Sequence, residues 1–217
     1  MDEKLAQLLD KGIAEMPIKS YFSEEELLNH KHRLVLLVQM LAKWNKAFNL
    51  TAVREPREMV IRHILDSLSI APHLVGERLL DVGSGAGLPG LPLAIIFPEK
   101  HFTLLDSNGK KTRFITQARS ELGLENVDVV QSRVEEFTSK ELFSTITARA
   151  YSSLAVMINS TQHLLALQGR LLLMKGVYPE EELGQIPAGF VLEEALELNV
   201  PMLEAERHLI ILKQSQP

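Results

Sequence analysis

The sequence predicts a doubly wound α/β domain, a mostly parallel sheet with helices on both faces, preceded by a helical N-terminal extension. Three observations carry this. From residue 77 short apolar runs alternate with helical stretches, the pattern that a parallel sheet covered on both faces requires. The first run leads into a glycine-rich turn, Asp81-Val82-Gly83-Ser84-Gly85-Ala86-Gly87. Before residue 75 the apolar residues recur instead at helical spacing. The boundaries follow: a helical extension over 1–75 and an α/β domain over 76–217, one structural unit.

Ser23 followed by Glu26 has the form of a capping box, a side-chain pair that satisfies free amides at a helix start. Behind it Leu27, Leu34, Val38, Leu41, Trp44 and Phe48 mark one apolar face of a long helix. Trp44 and Phe48 are therefore read as core residues, not base-stacking platforms. Asn49-Leu50-Thr51 breaks the pattern, and Pro56 opens a second helix carrying Met59, Ile61, Ile64, Leu65, Leu68 and Ile70 that ends near Pro72. Strands are expected over 78–82, 101–106, 126–131, 143–147 and 169–174, with helices over 89–97, 109–122, 153–167 and 179–186. Two further strands, 191–198 and 208–213, have only a loop between them. A short loop joins antiparallel neighbours, so the seven-stranded sheet should end in an antiparallel C-terminal hairpin.

A length of 217 residues suits one domain with its own core. With 46% hydrophobic and 24% charged residues, a disordered chain is excluded. The net charge of −5 argues against a uniformly basic nucleic-acid coat while allowing a local basic patch. There is no cysteine, which removes disulfides, Cys-ligated zinc, iron–sulfur clusters and thiolate nucleophiles. No metal is expected. The apolar stretch at 88–97 is far shorter than the ~20 residues of a membrane span, Pro89 and Pro92 interrupt it, and the N-terminus lacks the pattern of a signal peptide. A cytoplasmic protein is expected.

The glycines let the chain turn sharply and let backbone approach a ligand with no Cβ in the way. The following helix start offers free amides and the positive end of a dipole. Asp106 closes the second strand about 20 residues beyond, where an acid grips ribose hydroxyls. A tight turn with Asp106 as a solvated strand end is the simpler alternative. A dinucleotide fingerprint would need a third glycine at position 88, which is Leu88. The pattern is G-x-G-x-G with Asp81 two residues ahead, suited to a ligand with a ribose and no pyrophosphate.

This loop is similar to motif I of the S-adenosylmethionine-dependent methyltransferases, in which an early acid, here Asp81, supports the methionine end of the cofactor. Further along, Trp44-Asn45-Lys46, Asn49-Leu50-Thr51, Arg62-His63-Ile64-Leu65-Asp66-Ser67, Gly87-Leu88-Pro89-Gly90, Asp106-Ser107, Lys110-Lys111, Arg149-Ala150, Lys175-Gly176 and Glu206-Arg207-His208 occur in order. Together they resemble the glucose-inhibited division protein B family, bacterial 16S ribosomal RNA guanine-N7 methyltransferases, from about Trp44 to the C-terminus. The resemblance implies the Rossmann-like class I methyltransferase fold, S-adenosyl-L-methionine as cofactor, and 16S rRNA or the small ribosomal subunit as partner. It implies that Gly83 and Leu88 line the cofactor beside Gly85 and Gly87, that Asp106 holds the ribose, and that Val134 and Glu135 flank the adenine. Arg149 would face the methionine end and the substrate. Read without the family, Glu135 is a solvated acid at a helix start.

The residue inventory agrees with that chemistry. Methylating pyrimidine C5 needs a cysteine nucleophile, and exocyclic adenine amines are served by a Pro-Pro turn that this sequence lacks. Guanine N7 already carries an in-plane lone pair and loses no proton. Such a reaction needs placement, which can supply roughly 7–11 kcal/mol, and no general base. His63, Asp66 and Ser67 could suggest a hydrolase, but no G-x-S-x-G elbow presents the serine. Local hydrogen bonding, or support near the cofactor face, fits them better. No catalytic residue is singled out; Arg149, Arg207 and His63 are positioning candidates. Lys110, Lys111, Arg113, Arg133, Arg149, Lys175 and Arg207 follow or begin strands and would form a phosphate-positioning rim, whereas Arg119 and Lys140 read as scattered surface charge. Because the groove of A-form RNA is too deep to read, the target guanine must be looped or splayed out. The competing readings are a methyltransferase for a small molecule or protein, a non-catalytic rRNA- or ribosome-binding module on this fold, and a nicotinamide dehydrogenase, which Leu88 disfavours.

Overall fold

Two helices open the chain in the computed structural model, which describes residues 2–149 and 153–215: α1 (Glu3–Ala14) and α2 (Glu24–Phe48). The capping box forms as expected. The Ser23 amide donates to Glu26 Oε2 at 2.8 Å, and the Glu26 amide donates to Ser23 Oγ at 3.3 Å. Asn49 ends α2 in the left-handed region at φ 51°, a conformation that asparagine adopts more readily than most residues.

The helix opened by Pro56 is not regular. It starts as α3 (Pro56–Met59), widens into a π-helix over Val60–Leu65 and closes as α4 (Asp66–Leu68). It therefore stops short of Pro72, which lies in a separate 3-10 turn, Ala71–His73. π-turns recur at functional sites, and this one carries Arg62 and His63.

Beyond it come β1 (Arg78–Val82), α5 (Gly90–Ile96), β2 (His101–Asp106), α6 (Gly109–Leu122), β3 (Val127–Gln131), β4 (Phe143–Arg149), α7 (Leu154–Thr161), β5 (Leu165–Lys175), α8 (Glu180–Leu183), β6 (Phe190–Glu197) and β7 (His208–Gln214). The strands form one sheet in the order β3-β2-β1-β4-β5-β7-β6. Neighbours from β3 to β5 are parallel, and β7 runs antiparallel to both β5 and β6. The doubly wound sheet with its antiparallel terminal hairpin is thus the observed architecture.

Two expected boundaries were wrong. The helix over 153–167 ends at Thr161, and Leu165 already belongs to β5. The run Leu164-Leu165-Ala166-Leu167 suits either state, and its pairing decides: Leu165 lies against Phe143 across a register shift in the β4–β5 ladder. The helix over 179–186 shrinks to one turn because Gly184 caps it and Pro187 follows.

Alternation along the strands sends side chains to two cores. Leu79, Phe102, Leu104, Leu172, Met174, Leu209 and Ile211 join one cluster with residues of α1, α2, α5, α6 and the π-turn. Leu80, Val82, Leu105, Ile146, Leu171, Leu173 and Ile210 join the other with Leu154, Met157 and Ile158 of α7. The N-terminal helices therefore pack on the same sheet face as α5 and α6. Trp44 packs against this first core, 5.6 Å from Phe114 between ring centroids.

Candidate active site

The strand order reverses between β1 and β4, and open α/β sheets bind ligands at the carboxyl ends beside such a switch point. Two clefts open there. One spans the ends of β1, β2 and β3. The other spans the ends of β4 and β5 and the start of β7, with the π-turn and α4 as its wall.

The first cleft, of about 230 Å³, is lined by Val82, Gly83, Asp106, Lys111, Arg133, Val134 and Glu135 among others. Gly83, Gly85 and Gly87 all have positive φ. A Cβ on Gly85 would meet only the Gly83 carbonyl oxygen at 3.8 Å and Lys111 Nζ at 4.0 Å. The space over the turn is therefore open, and only glycine leaves it so. Asp106 is buried, its Oδ2 accepting the Gly85 amide and its Oδ1 the Asn108 amide, both at 2.8 Å. These two bonds fix the carboxylate between the glycine turn and the start of α6, and each oxygen keeps a further lone pair. An anchored acceptor beside a turn without side chains fits a ribose-bearing cofactor.

Asp81 does not line either cleft. It is buried, with Oδ2 accepting the Gly90 amide at 3.0 Å and Oδ1 accepting the Thr147 hydroxyl at 3.1 Å. A Cβ on Gly90 would lie 2.8 Å from Oδ2, so the glycine permits this contact. Burial pushes Asp81 up to about 7, against the opposing pull of Gly90, Thr147 and Ser84. The residue braces the loop from below. Leu88 is likewise buried, in the first core.

The second cleft, of about 410 Å³, is lined by Val53, Arg62, His63, Asp66, Arg149, Met174, Lys175, Gly176 and Arg207. All three positioning candidates meet here, as does Lys175. Lys111 and Arg133 belong to the first cleft, and Lys110 is exposed on the first turn of α6. Ala150, of the Arg149-Ala150 pair, lies outside the described residues.

Asp66 organises this cleft. Arg149 Nη1 donates to its Oδ2 at 3.1 Å and Arg207 Nε to its Oδ1 at 2.9 Å. Arg149 Nη1 also lies 3.2 Å from the Arg62 carbonyl oxygen, to which His63 Nδ1 donates at 2.9 Å. That carbonyl can only accept, so Nδ1 carries the proton and Nε2 accepts from the Thr51 hydroxyl at 2.8 Å. The 3.5 Å approach of Arg149 Nη1 to His63 Nδ1 then sets donor against donor and is no hydrogen bond. Burial, with Arg149 beside it, pushes His63 down to about 4. Thr51 is itself placed by Asn45, whose Oδ1 accepts the Thr51 amide and whose Nδ2 donates to the Val53 carbonyl. The N-terminal Asn45 and Thr51 thus support the cleft wall.

Ser67 Oγ donates to the His63 carbonyl, His63 is bound to Thr51, and Asp66 is bound to arginines. No relay joins the three, and the hydrolase arrangement is absent. Lys175 pairs with Glu182 of α8 at 2.9 Å and Arg62 with Glu58 at 2.9 Å. Glu182 has no place in the sequence reading of the site, and Asp66 enters it only as a local hydrogen-bonding or supporting residue, without its two arginine partners. The only signal for Asp66 was its place in the Arg62–Ser67 motif, and Glu182 gave none.

Among the described residues, no group of histidines and carboxylates could hold a metal ion, and no helix is long and apolar enough to cross a membrane.

Solved structures share this fold. A methyltransferase from Aquifex aeolicus described as dependent on S-adenosylmethionine matches with a TM-score of 0.58 at 17% identity, over 71% of this chain and 92% of that one. The glycopeptide N-methyltransferase MtfA, solved with S-adenosyl-L-homocysteine, matches with a TM-score of 0.62 at 11% identity over 70% and 87%. At sequence level the relatives are nearer. A protein named ribosomal RNA small subunit methyltransferase G from Enterobacter sp. (strain 638) is 54% identical over 185 residues, 85% of this chain and 89% of that one. Its namesake from Yersinia pseudotuberculosis serotype O:3 (strain YPIII) is 54% identical over 186 residues, 85% and 90% of the two chains. The family model described as rRNA small subunit methyltransferase G matches residues 29–210, a span that holds both clefts and their supporting loop, and the chain belongs to that family.

Proposed function

We propose that this chain transfers a methyl group from S-adenosyl-L-methionine to N7 of a guanine in 16S ribosomal RNA, free or within the small ribosomal subunit, in the cytoplasm. The observation that carries the reading is the pairing of the two clefts. One is a glycine-lined acceptor site for a nucleoside, and the other, beside it along the same sheet edge, is a cationic site whose acid and imidazole are already engaged.

When bound, S-adenosylmethionine supplies a methyl group activated by a sulfonium. Asp106 would accept from the ribose hydroxyls, Val134 and Glu135 would flank the adenine, and the Gly83–Gly85 backbone would leave room for the chain between. Leu88 and Gly87 would act by shaping this turn, and Asp81 by bracing it. Arg149, at the end of β4, would face both cofactor and RNA. The division into an extension over 1–75 and a methyltransferase domain over 76–217 belongs to the same proposal.

Guanine N7 needs no deprotonation, and the second cleft suits that. His63 is neutral, its acceptor nitrogen is occupied by Thr51, and both oxygens of Asp66 are held by guanidinium groups. What remains for the residues to do is placement. Arg207, Lys175, Lys110, Lys111 and Arg133 would hold phosphates, which position RNA without reading it. The chain is acidic overall, so this rim is local.

The direct test incubates the purified chain with methyl-labelled cofactor and small subunits from a strain lacking the gene, then digests the RNA to nucleosides. Label recovered in N7-methylguanosine supports the proposal. Label in another nucleoside or in ribosomal protein contradicts it.

A further inference from the structure

We propose that Asp66 is a positioning residue for methyl transfer: one buried carboxylate sets the separation and orientation of Arg149 and Arg207 and offsets their charge. This rests on the rRNA reading above and adds a role for a residue that neither touches the cofactor nor contacts a phosphate.

The two guanidinium groups come from distant parts of the chain, the end of β4 and the loop before β7. Unrestrained, like charges at a common rim would separate and adopt many rotamers. Asp66 takes one on each oxygen, at 3.1 and 2.9 Å, and its side chain is only 3% exposed. It is placed by α4, directly behind the π-turn. Each arginine has a second anchor, Arg149 on the Arg62 carbonyl and Arg207 on the Glu206 carbonyl at 2.7 Å. Among the described residues Nη2 of each arginine has no protein partner, so both retain donors for a substrate. Asp66 fixes the two forks while leaving those donors available.

The charge pattern points the same way. Every cation of this cleft has an acid against it: Arg62 has Glu58, Lys175 has Glu182, and Arg149 and Arg207 share Asp66. Transfer to guanine N7 delivers positive charge onto the base. A rim that attracted RNA with unpaired cations would repel both the cofactor and the product. Pairing keeps the geometry of the arginines while lowering their field at the ring.

The role has a signature that a merely structural residue lacks. Removing the carboxylate charge should leave RNA attraction equal or stronger while slowing methyl transfer. The full chain is compared as wild type, Asp66→Asn, Asp66→Glu, Arg207→Ala and Asp66→Asn with Arg207→Ala. Single-turnover rate on small subunits lacking the modification, RNA affinity across salt concentrations, cofactor affinity by calorimetry and thermal unfolding are measured for each. Asp66→Asn is expected to lose at least about tenfold in rate, with RNA affinity equal or tighter and cofactor affinity within about threefold. Asp66→Glu, which keeps the charge and shifts both forks, should fall between wild type and Asp66→Asn. In the Arg207→Ala background the rate cost of Asp66→Asn should shrink severalfold, because part of its action runs through that arginine. An unchanged rate in Asp66→Asn, a full cost in the Arg207→Ala background, or RNA affinity falling in step with rate would each overturn the proposal. If Asp66→Asn does not unfold cooperatively, an Asp66→Glu rate equal to wild type overturns it. A wild type that methylates no rRNA refutes the functional reading and with it this role, whereas an active wild type matched in rate by Asp66→Asn refutes the role of Asp66 alone.

Discussion

Replacing Asp81 with asparagine should change how stability depends on pH, because two buried groups of the site titrate in opposite senses. Asp81 rises from an ordinary 3.8 to about 7 on folding, through burial. Between these values the folded chain binds more protons than the unfolded chain, so the contribution is full below 3.8 and is lost as pH rises through about 7. His63 falls from 6.5 to about 4, again through burial, with Arg149 adding to it. There the unfolded chain binds more protons, and stability is lost as pH falls from 6.5 towards 4. Between pH 5 and pH 8 Asp81 should cost about 2–3 kcal/mol and His63 should contribute about 2 kcal/mol. The two nearly cancel in the wild type. Asparagine has the shape of aspartate, accepts from the Gly90 amide and donates to Thr147 Oγ, so the fold should hold. Urea unfolding followed by the fluorescence of Trp44, the only tryptophan, gives stability at each pH. Relative to wild type, Asp81→Asn should gain about 2–3 kcal/mol from pH 5 to pH 8. The same pH dependence in both proteins would refute the rise that burial gives Asp81.

Three further outcomes follow from the clefts. Gly85→Val should lose stability by about 1–2 kcal/mol, because a β-branched residue is strained at φ 60°, and should lose S-adenosylmethionine binding by calorimetry while still folded, since its side chain would project into the open space over the turn; unchanged affinity would remove the glycine turn from the cofactor site. Asp106→Ala should weaken cofactor binding by about 1.5–3 kcal/mol, and a 2′-deoxy cofactor analogue should lose little more in that variant. It should also reduce stability, by about 1–3 kcal/mol, because the Gly85 and Asn108 amides lose their acceptor; full additivity of the two affinity losses would show that Asp106 does not touch the ribose. Arg207→Ala should reduce the slope of log RNA affinity against log salt by about 0.7–0.9, and an unchanged slope would take Arg207 out of the phosphate contacts.

The parts of this protein written in local signals were legible from sequence. The glycine turn, the Ser23–Glu26 box and the strand–helix alternation each depend on neighbouring residues, and each forms where expected. Leu165 shows the opposite case: its neighbours suit helix or strand, and pairing with Phe143 across the sheet decides. The π-turn over Val60–Leu65 has no glycine or proline to announce it. Its value lies in tertiary contacts, since the Arg62 carbonyl serves His63 and Arg149 together. The candidate site divided likewise. Gly85, Asp106, Val134 and Glu135 lie at or just beyond strand ends, which the topology places together. Asp66 was legible as a supporting residue but its pairing with two arginines was not, because those partners lie 83 and 141 residues away. The bracing role of Asp81 needed the position of Gly90 and of Thr147 on a neighbouring strand.

The central claim is that the two clefts serve methylation of guanine N7 in small-subunit rRNA. It is tested most directly by mapping N7-methylguanine in 16S rRNA, by borohydride and aniline cleavage with mass spectrometry, in a strain deleted for this chain and in the same strain carrying it again. One N7-methylguanine should vanish on deletion, return with the wild-type chain and stay absent with Gly85→Val. An unaltered set of N7-methylguanines, or a lost methyl group on any other atom or molecule, would contradict the account.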